Sequence, residues 1–381
     1  MSHSQHSQHS QHLHRFHGSY RPQDVEFLLK PLTLAQAQTE NVADKERLIQ
    51  SGARHYSEML TPESLPSPAY RALFARAHAL NRERMARDCL VLASLVARHH
   101  GPTPVLVSLA RAGTPVGAIV AHLLRACLGA AAAPVAHYSI SIVRDRGIDT
   151  NALDHILAQG HAPQSLAFVD GWTGKGVISR ELERFVQAYN RSRQVSIDSG
   201  LYVLSDLAGS ARCAASGDDY LIPSSILNAT ISGLVSRSIL NSAIGPQDFH
   251  GCVWFGEFAE ADLSCWFVDD IVSAALAIFE AEGMPEPVPA DRAALAAQSQ
   301  AFMASELARQ GIQDANLIKP GIGEATRVLL RRLPRQLLVR DPEAENVQHL
   351  LVLADEKSVP VQVRPDLPYH AVSIIRSVQD A

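Results

Sequence analysis

The run from Ser165 to Ile178 limits what the rest of the chain can become. Leu166-Ala167-Phe168-Val169 is apolar and ends in Asp170, and Gly171-Trp172-Thr173-Gly174-Lys175-Gly176 follows before a helical pattern from Ser179 to Tyr189. A short apolar run between turn residues suits a strand buried on both faces, as in a parallel sheet. A glycine turn at its carboxyl end aims the unpaired N–H groups of the next helix into a crevice. This is a phosphate site in outline: Gly174 and Gly176 permit close backbone approach, Thr173 offers a hydroxyl and Lys175 a charge. Asp170, acceptor-only when ionised, suits a sugar hydroxyl or a metal-bound ligand. The spacing matches neither a Walker A loop nor GxGxxG.

The same logic occurs upstream. Pro104 to Leu109 is an apolar strand, Ala110-Arg111-Ala112-Gly113-Thr114-Pro115 a turn, and Ala118 to Leu128 a helix. Ala136 to Val143 alternates like a strand and empties into the polar loop Arg144 to Asn151. Gly200 to Gly209 is a strand ending in Asp206, placed to face a ligand or to cap the next turn. Ile222 to Ser238 carries Ser225, Asn228, Thr230 and Arg237 in an apolar frame, suited to reading a base or to internal hydrogen bonds. Repeated strand–turn–helix units predict a doubly wound, mostly parallel α/β sheet over 20–283.

The flanks differ from this unit. Residues 1–19 form a Ser-Gln-His-rich tail, expected to be disordered, with a metal-binding reading for its clustered imidazoles set against a neutral tail. The segment 284–311 opens with a proline-rich break and continues as an alanine-rich helix, Ala290 to Arg309. From 312 to 381 the pattern is a small α/β sandwich.

The Thr173–Gly176 turn after an acidic strand end resembles the phosphoribosyl-diphosphate loop of type I phosphoribosyltransferases, with Gly171 where the family has a second acid. Arg111-Ala112-Gly113 is similar to that family's diphosphate turn. The resemblance implies Mg²⁺-dependent phosphoribosyl transfer to or from a nucleotide. Arg111, Ala112, Gly113, Gly171, Trp172, Thr173, Gly174, Lys175 and Gly176 would then hold the phosphates. Asp170 would sit at the ribose, Arg144 and Arg146 on a closing flap, and Asp206, Ser225 and Asn228 near the base.

Gly321-Ile322-Gly323-Glu324-Ala325-Thr326-Arg327 resembles the helix start with which the Pelota and kink-turn-binding ribosomal-protein family reads an RNA bend. Gly323 replaces an asparagine. This implies RNA contacts from Gly321, Gly323, Glu324, Thr326, Arg327 and Arg331. The combination is similar to a stress- and tellurite-resistance-associated branch that also carries a StiP-type cysteine-protease label. Gly171 leaves open a non-catalytic nucleotide sensor that binds RNA. A cysteine-hydrolase reading on His250 and Cys252 is the third alternative, set against the default of a buried structural thiol.

Composition narrows the setting. A formal charge of -5 over 381 residues argues against a wholly basic nucleic-acid coat. The five widely spaced cysteines read as reduced residues of a cytoplasmic protein. No apolar run reaches membrane-spanning length, and oligomeric state leaves no mark in the sequence.

Overall fold

A computed structural model of the chain describes residues 15–101, 103–127, 135–288 and 290–377. The imidazole cluster of the tail, from His3 to His14, lies outside the described residues. Residues 15–19 belong to the fold, since Phe27 donates its N–H to the Phe16 carbonyl at 2.7 Å and the two rings lie 5.7 Å apart.

The apolar runs form a six-stranded sheet in the order Glu26–Phe27, His137–Ile140, Val105–Leu109, Leu166–Thr173, Leu201–Asp206 and Cys213–Ser216. Every neighbouring pair is parallel. Val105–Leu109 is buried at every position because helices cover both faces, which is why it reads as a continuous apolar run. One face packs under Pro68–His100, Gly113–Cys127 and Ser264–Glu282, the other under Thr150–Ala158 and Val177–Arg193.

Pro68–His100 is a single helix of 33 residues. Ser67 caps it by accepting from the Tyr70 N–H, Pro68 opens it with a preset φ, and Gly101 ends it at φ 79°.

The C-terminal unit has a four-stranded mixed sheet in the order Ile318–Pro320, Ala371–Ile375, Pro334–Val339 and Val361–Val363. Helices Ile322–Arg331 and Gln348–Glu356 cover one face, while Arg292–Gln310 packs on the other through Phe302 against Tyr369. The helix expected as a linker is therefore a layer of this unit. Ile322, Ala325 and Leu329 join the same buried cluster as the first unit's Tyr202 and Leu204, so the two units share apolar core.

Candidate functional site

The chain leaves Val105–Leu109 toward one side of the sheet and later returns to place Leu166–Thr173 on the other. That reversal opens a crevice at the carboxyl ends of the two strands, where open α/β sheets bind ligands. A cavity of about 180 Å³ lies there, roofed by the C-terminal unit. Arg111, Arg237, Arg327 and Arg331 line it, with Asp170 as the one carboxylate on its wall. The Ala110–Arg111 peptide bond is cis.

Four arginines meet unequal partners. Arg327 pairs with Glu324 at 2.8 Å and lies 4.2 Å above the Trp172 ring. Arg111, almost fully buried, binds the Glu63 carboxylate and donates to the Val235 carbonyl at 2.6 Å. Among the described residues, Arg237 donates only to the carbonyls of Tyr56, Met59 and Ser238, and Arg331 only to the Asn228 side-chain oxygen. Burial, with like charge beside it, lowers Arg331 to about 9 and Arg237 to about 10. Asp170 accepts from the Gly171 N–H at 2.8 Å, yet burial raises its carboxyl to about 6 against the pull of Arg327.

The glycine turn expected to cradle phosphate is closed by the C-terminal unit. A Cβ on Gly174 would stand 2.7 Å from the Pro320 carbonyl oxygen, and Lys175 donates to the carbonyls of Ala315 and Ile318. Burial lowers that ammonium to about 7. Thr173 Oγ1 accepts from the Gly176 N–H at 3.0 Å, satisfying the turn internally. Gly113 serves a close approach between chain segments, its missing Cβ standing 2.5 Å from the Val169 carbonyl oxygen. Ala112 and Trp172 do reach the cleft wall.

The expected flap is a tight hairpin of Ile142–Val143 and Gly147–Ile148; Ile142 lines the cavity, while Arg144 and Arg146 at its tip do not. Arg144 is held by Asp145 and Asn316, with its N–H on Tyr56 Oη, and Arg146 by Glu58. Asp206 caps its own turn, accepting from the N–H groups of Ala208 and Ala211 at 2.9 and 2.7 Å. Ser225 and Asn228 line the cleft.

The RNA-reading helix start also faces inward. A Cβ on Gly323 would meet the Trp172 ring at 2.5 Å, and one on Gly321 would meet Leu207 at 2.6 Å. Asp219 accepts from the Ile322 N–H at 2.9 Å, so a protein carboxylate occupies the helix start that was expected to face RNA. Thr326 is fully buried and bonds the Ile322 carbonyl and His349. Arg327 and Arg331 reach the cleft.

Mg²⁺ fits this wall poorly. The single carboxylate stands beside Arg327, and among the described residues no group of three or more His, Cys, Asp and Glu is placed to hold a metal.

The cysteines sort clearly. Cys252 is fully buried and its thiol is pushed far up by desolvation, while His250 Nδ1 pairs with Ser141 Oγ at 2.8 Å. Residues two apart thus make no thiol–imidazole pair. Cys213, at the start of the edge strand, is partly exposed and stands 4.0 Å from His99 Nδ1. Among the described residues it is the one cysteine with a hydrogen-bonding contact to an imidazole. No sequence signal pointed to it, because His99 lies on a helix 114 positions away. Glu63 was hidden in a turn-rich stretch with no periodicity.

Comparison with known proteins corrects the transfer reading. Residues 18–272 match the family described as tellurite-like stress resistance cysteine protease StiP, and residues 297–377 match the PELOTA RNA binding domain. A curated relative from Acinetobacter baylyi, named cysteine protease StiP, is 40% identical over 95% of each chain. Phosphoribosyl transfer and the phosphoribosyl diphosphate substrate are therefore set aside. No helix among the described residues is long and apolar enough to cross a membrane. The chain belongs to the StiP family of tellurite-like stress resistance cysteine proteases and ends in a PELOTA RNA-binding domain.

Proposed function

We propose that the chain is a cysteine-dependent peptide hydrolase with Cys213 as nucleophile and His99 as its base, joined to an RNA-binding unit. The observation that carries the assignment is the Cys213–His99 contact, alone of its kind among the described residues. The thiol needs a base, since partial burial raises it above the usual thiol range while Arg212 and Arg292 pull it down. His99 Nδ1 also donates to the Leu95 carbonyl at 2.8 Å, so the imidazole must release Leu95 and carry its proton on Nε2 instead before Nδ1 accepts the thiol proton. The thiolate then adds to a peptide carbonyl, the C–N bond breaks with the proton passing from imidazolium to the amine, and water hydrolyses the thioester. Cys213–Ser216 is the last strand of its sheet, and its other side is free of a strand partner among the described residues, which suits an extended peptide beside the thiol.

Casein hydrolysis and iodoacetamide mapping on the full chain test this. Cys213→Ala and His99→Ala should each abolish hydrolysis, Cys252→Ala should retain it, and Cys213 should be the alkylated residue. Full activity in Cys213→Ala overturns the assignment.

A further inference from the structure

The cleft between the units contains more hydrogen-bond donors than the protein itself satisfies. Among the described residues, Arg237 and Arg331 hydrogen-bond only to neutral oxygens, although each carries a full charge, and Arg237 also lies 5.6 Å from the Tyr56 ring. Two further polar groups on the same wall, Ser224 Oγ and Ser225 Oγ, are buried without a hydrogen-bond partner among the described residues. Leaving buried donors unpaired is costly, so such a concentration marks a place for a ligand rich in acceptor oxygens. Of the four arginines on the wall, Arg111 and Arg327 have carboxylate partners in Glu63 and Glu324, whereas Arg237 and Arg331 have no ion pair among the described residues.

The protein already places an anion against this cluster. Glu63, on the segment between Thr61 and Pro68, sends one carboxylate oxygen to Arg111 and accepts the Ala229 N–H at 3.0 Å with the other. Burial opposes its charge, but Arg111 and then Arg331 hold the carboxyl below its usual range. A phosphodiester presents the same geometry of oxygens to an arginine fork. Arg111 and Arg237 come from the first unit, and Arg327 and Arg331 from the RNA-binding unit, so neither unit forms the site alone.

We propose that RNA binds as a single strand inside this interdomain cleft, its phosphates held by Arg331, Arg237 and Arg111 after displacing the Glu63 carboxylate. The inference rests on the RNA-binding reading of the C-terminal unit and adds where, and in what form, the RNA is held. A cavity of about 180 Å³ admits a phosphate with its sugar and excludes a duplex. The usual recognition surface at the helix start is closed by Trp172, Leu207 and Asp219, which leaves the cleft as the route to Arg327 and Arg331.

Fluorescence anisotropy of the full chain with a short labelled single-stranded RNA, and with the same sequence as a duplex, tests the proposal. Arg331→Ala should weaken single-strand binding about tenfold, the worth of one charge-assisted hydrogen bond. Arg331→Lys, which keeps the charge and most of the packing, should lose less. Glu63→Gln should tighten binding by removing the competing carboxylate. Single-strand binding insensitive to Arg331→Ala and Glu63→Gln, or a duplex bound as tightly as the single strand, would overturn the cleft site while leaving RNA binding intact. No binding of either RNA by the folded wild type would remove the RNA-binding reading and this inference together.

Discussion

Replacing Asp170 by asparagine should stabilise the protein at neutral and alkaline pH and have little effect in acid. Asp170 Oδ1 accepts the Gly171 N–H at 2.8 Å, an acceptor role that asparagine keeps. The carboxyl is raised from 3.8 to about 6, so the fold favours its protonated form. A carboxyl raised in the folded state contributes stability below its unfolded value and loses it as pH climbs through the folded value. Two units correspond to about 3 kcal/mol, an upper bound because Asp170 is only partly buried and water in the cleft screens it. Asparagine has no charge to desolvate and escapes that loss. The stability difference between Asp170→Asn and wild type should therefore widen between pH 4 and 6 and stay flat above, reaching about 4 °C in melting temperature for a chain of this size. Thermal melts or urea titrations of both proteins at matched pH values measure it. A difference that does not change with pH, or a wild type that gains on the variant as pH rises, would refute the reasoning that an uncompensated carboxylate sits in the cleft.

Gly174→Ala should loosen the contact between the units, because its methyl would stand 2.7 Å from the Pro320 carbonyl oxygen; a loss of about 1–3 kcal/mol and faster proteolysis between the units are expected. Iodoacetamide should modify Cys213 slowly at neutral pH and faster as pH rises into the alkaline range, since partial burial raises the thiol; a rate flat from pH 6 upward would indicate a preformed thiolate. His137 is buried between the Asp24 carbonyl and Ser108 Oγ at 2.7 and 2.8 Å and is lowered to about 4, so its ring should stay neutral at pH 5.5 by NMR; the associated stability is present above about pH 6.5 and lost as pH falls toward 4. Trp172→Ala removes the ring under Arg327 and the wall against Gly323, and should lower RNA affinity as well as stability, read by anisotropy and melting on the same sample.

Much of the fold was legible from local pattern. Val105–Leu109, Leu166–Thr173 and Leu201–Asp206 are apolar runs followed by glycine turns, and burial on both faces is the reason such runs pair in parallel. The proline-rich break near Met284 reads as a boundary, and the helix after it packs on the C-terminal sheet through Phe302. Arg111, Asp170 and Asn228 stood out at strand ends or as polar in an apolar frame, and Arg331 as part of a basic helix expected to meet RNA; the structure brings all four to one cleft. The chemistry was not, because a glycine turn that fits phosphate fits a neighbouring backbone equally well. Gly174 meets Pro320 and Lys175 meets two carbonyls only after the C-terminal unit docks.

Local composition and periodicity therefore determined the strands, the turns and the division of the chain, since hydrophobic burial and backbone sterics act over a few neighbouring residues. Tertiary structure alone decided which turns stay open, which arginines find a carboxylate, and that Cys213 rather than Cys252 lies beside an imidazole. Those outcomes depend on side chains far apart in sequence meeting at set distances, and no pattern within one segment carries that information.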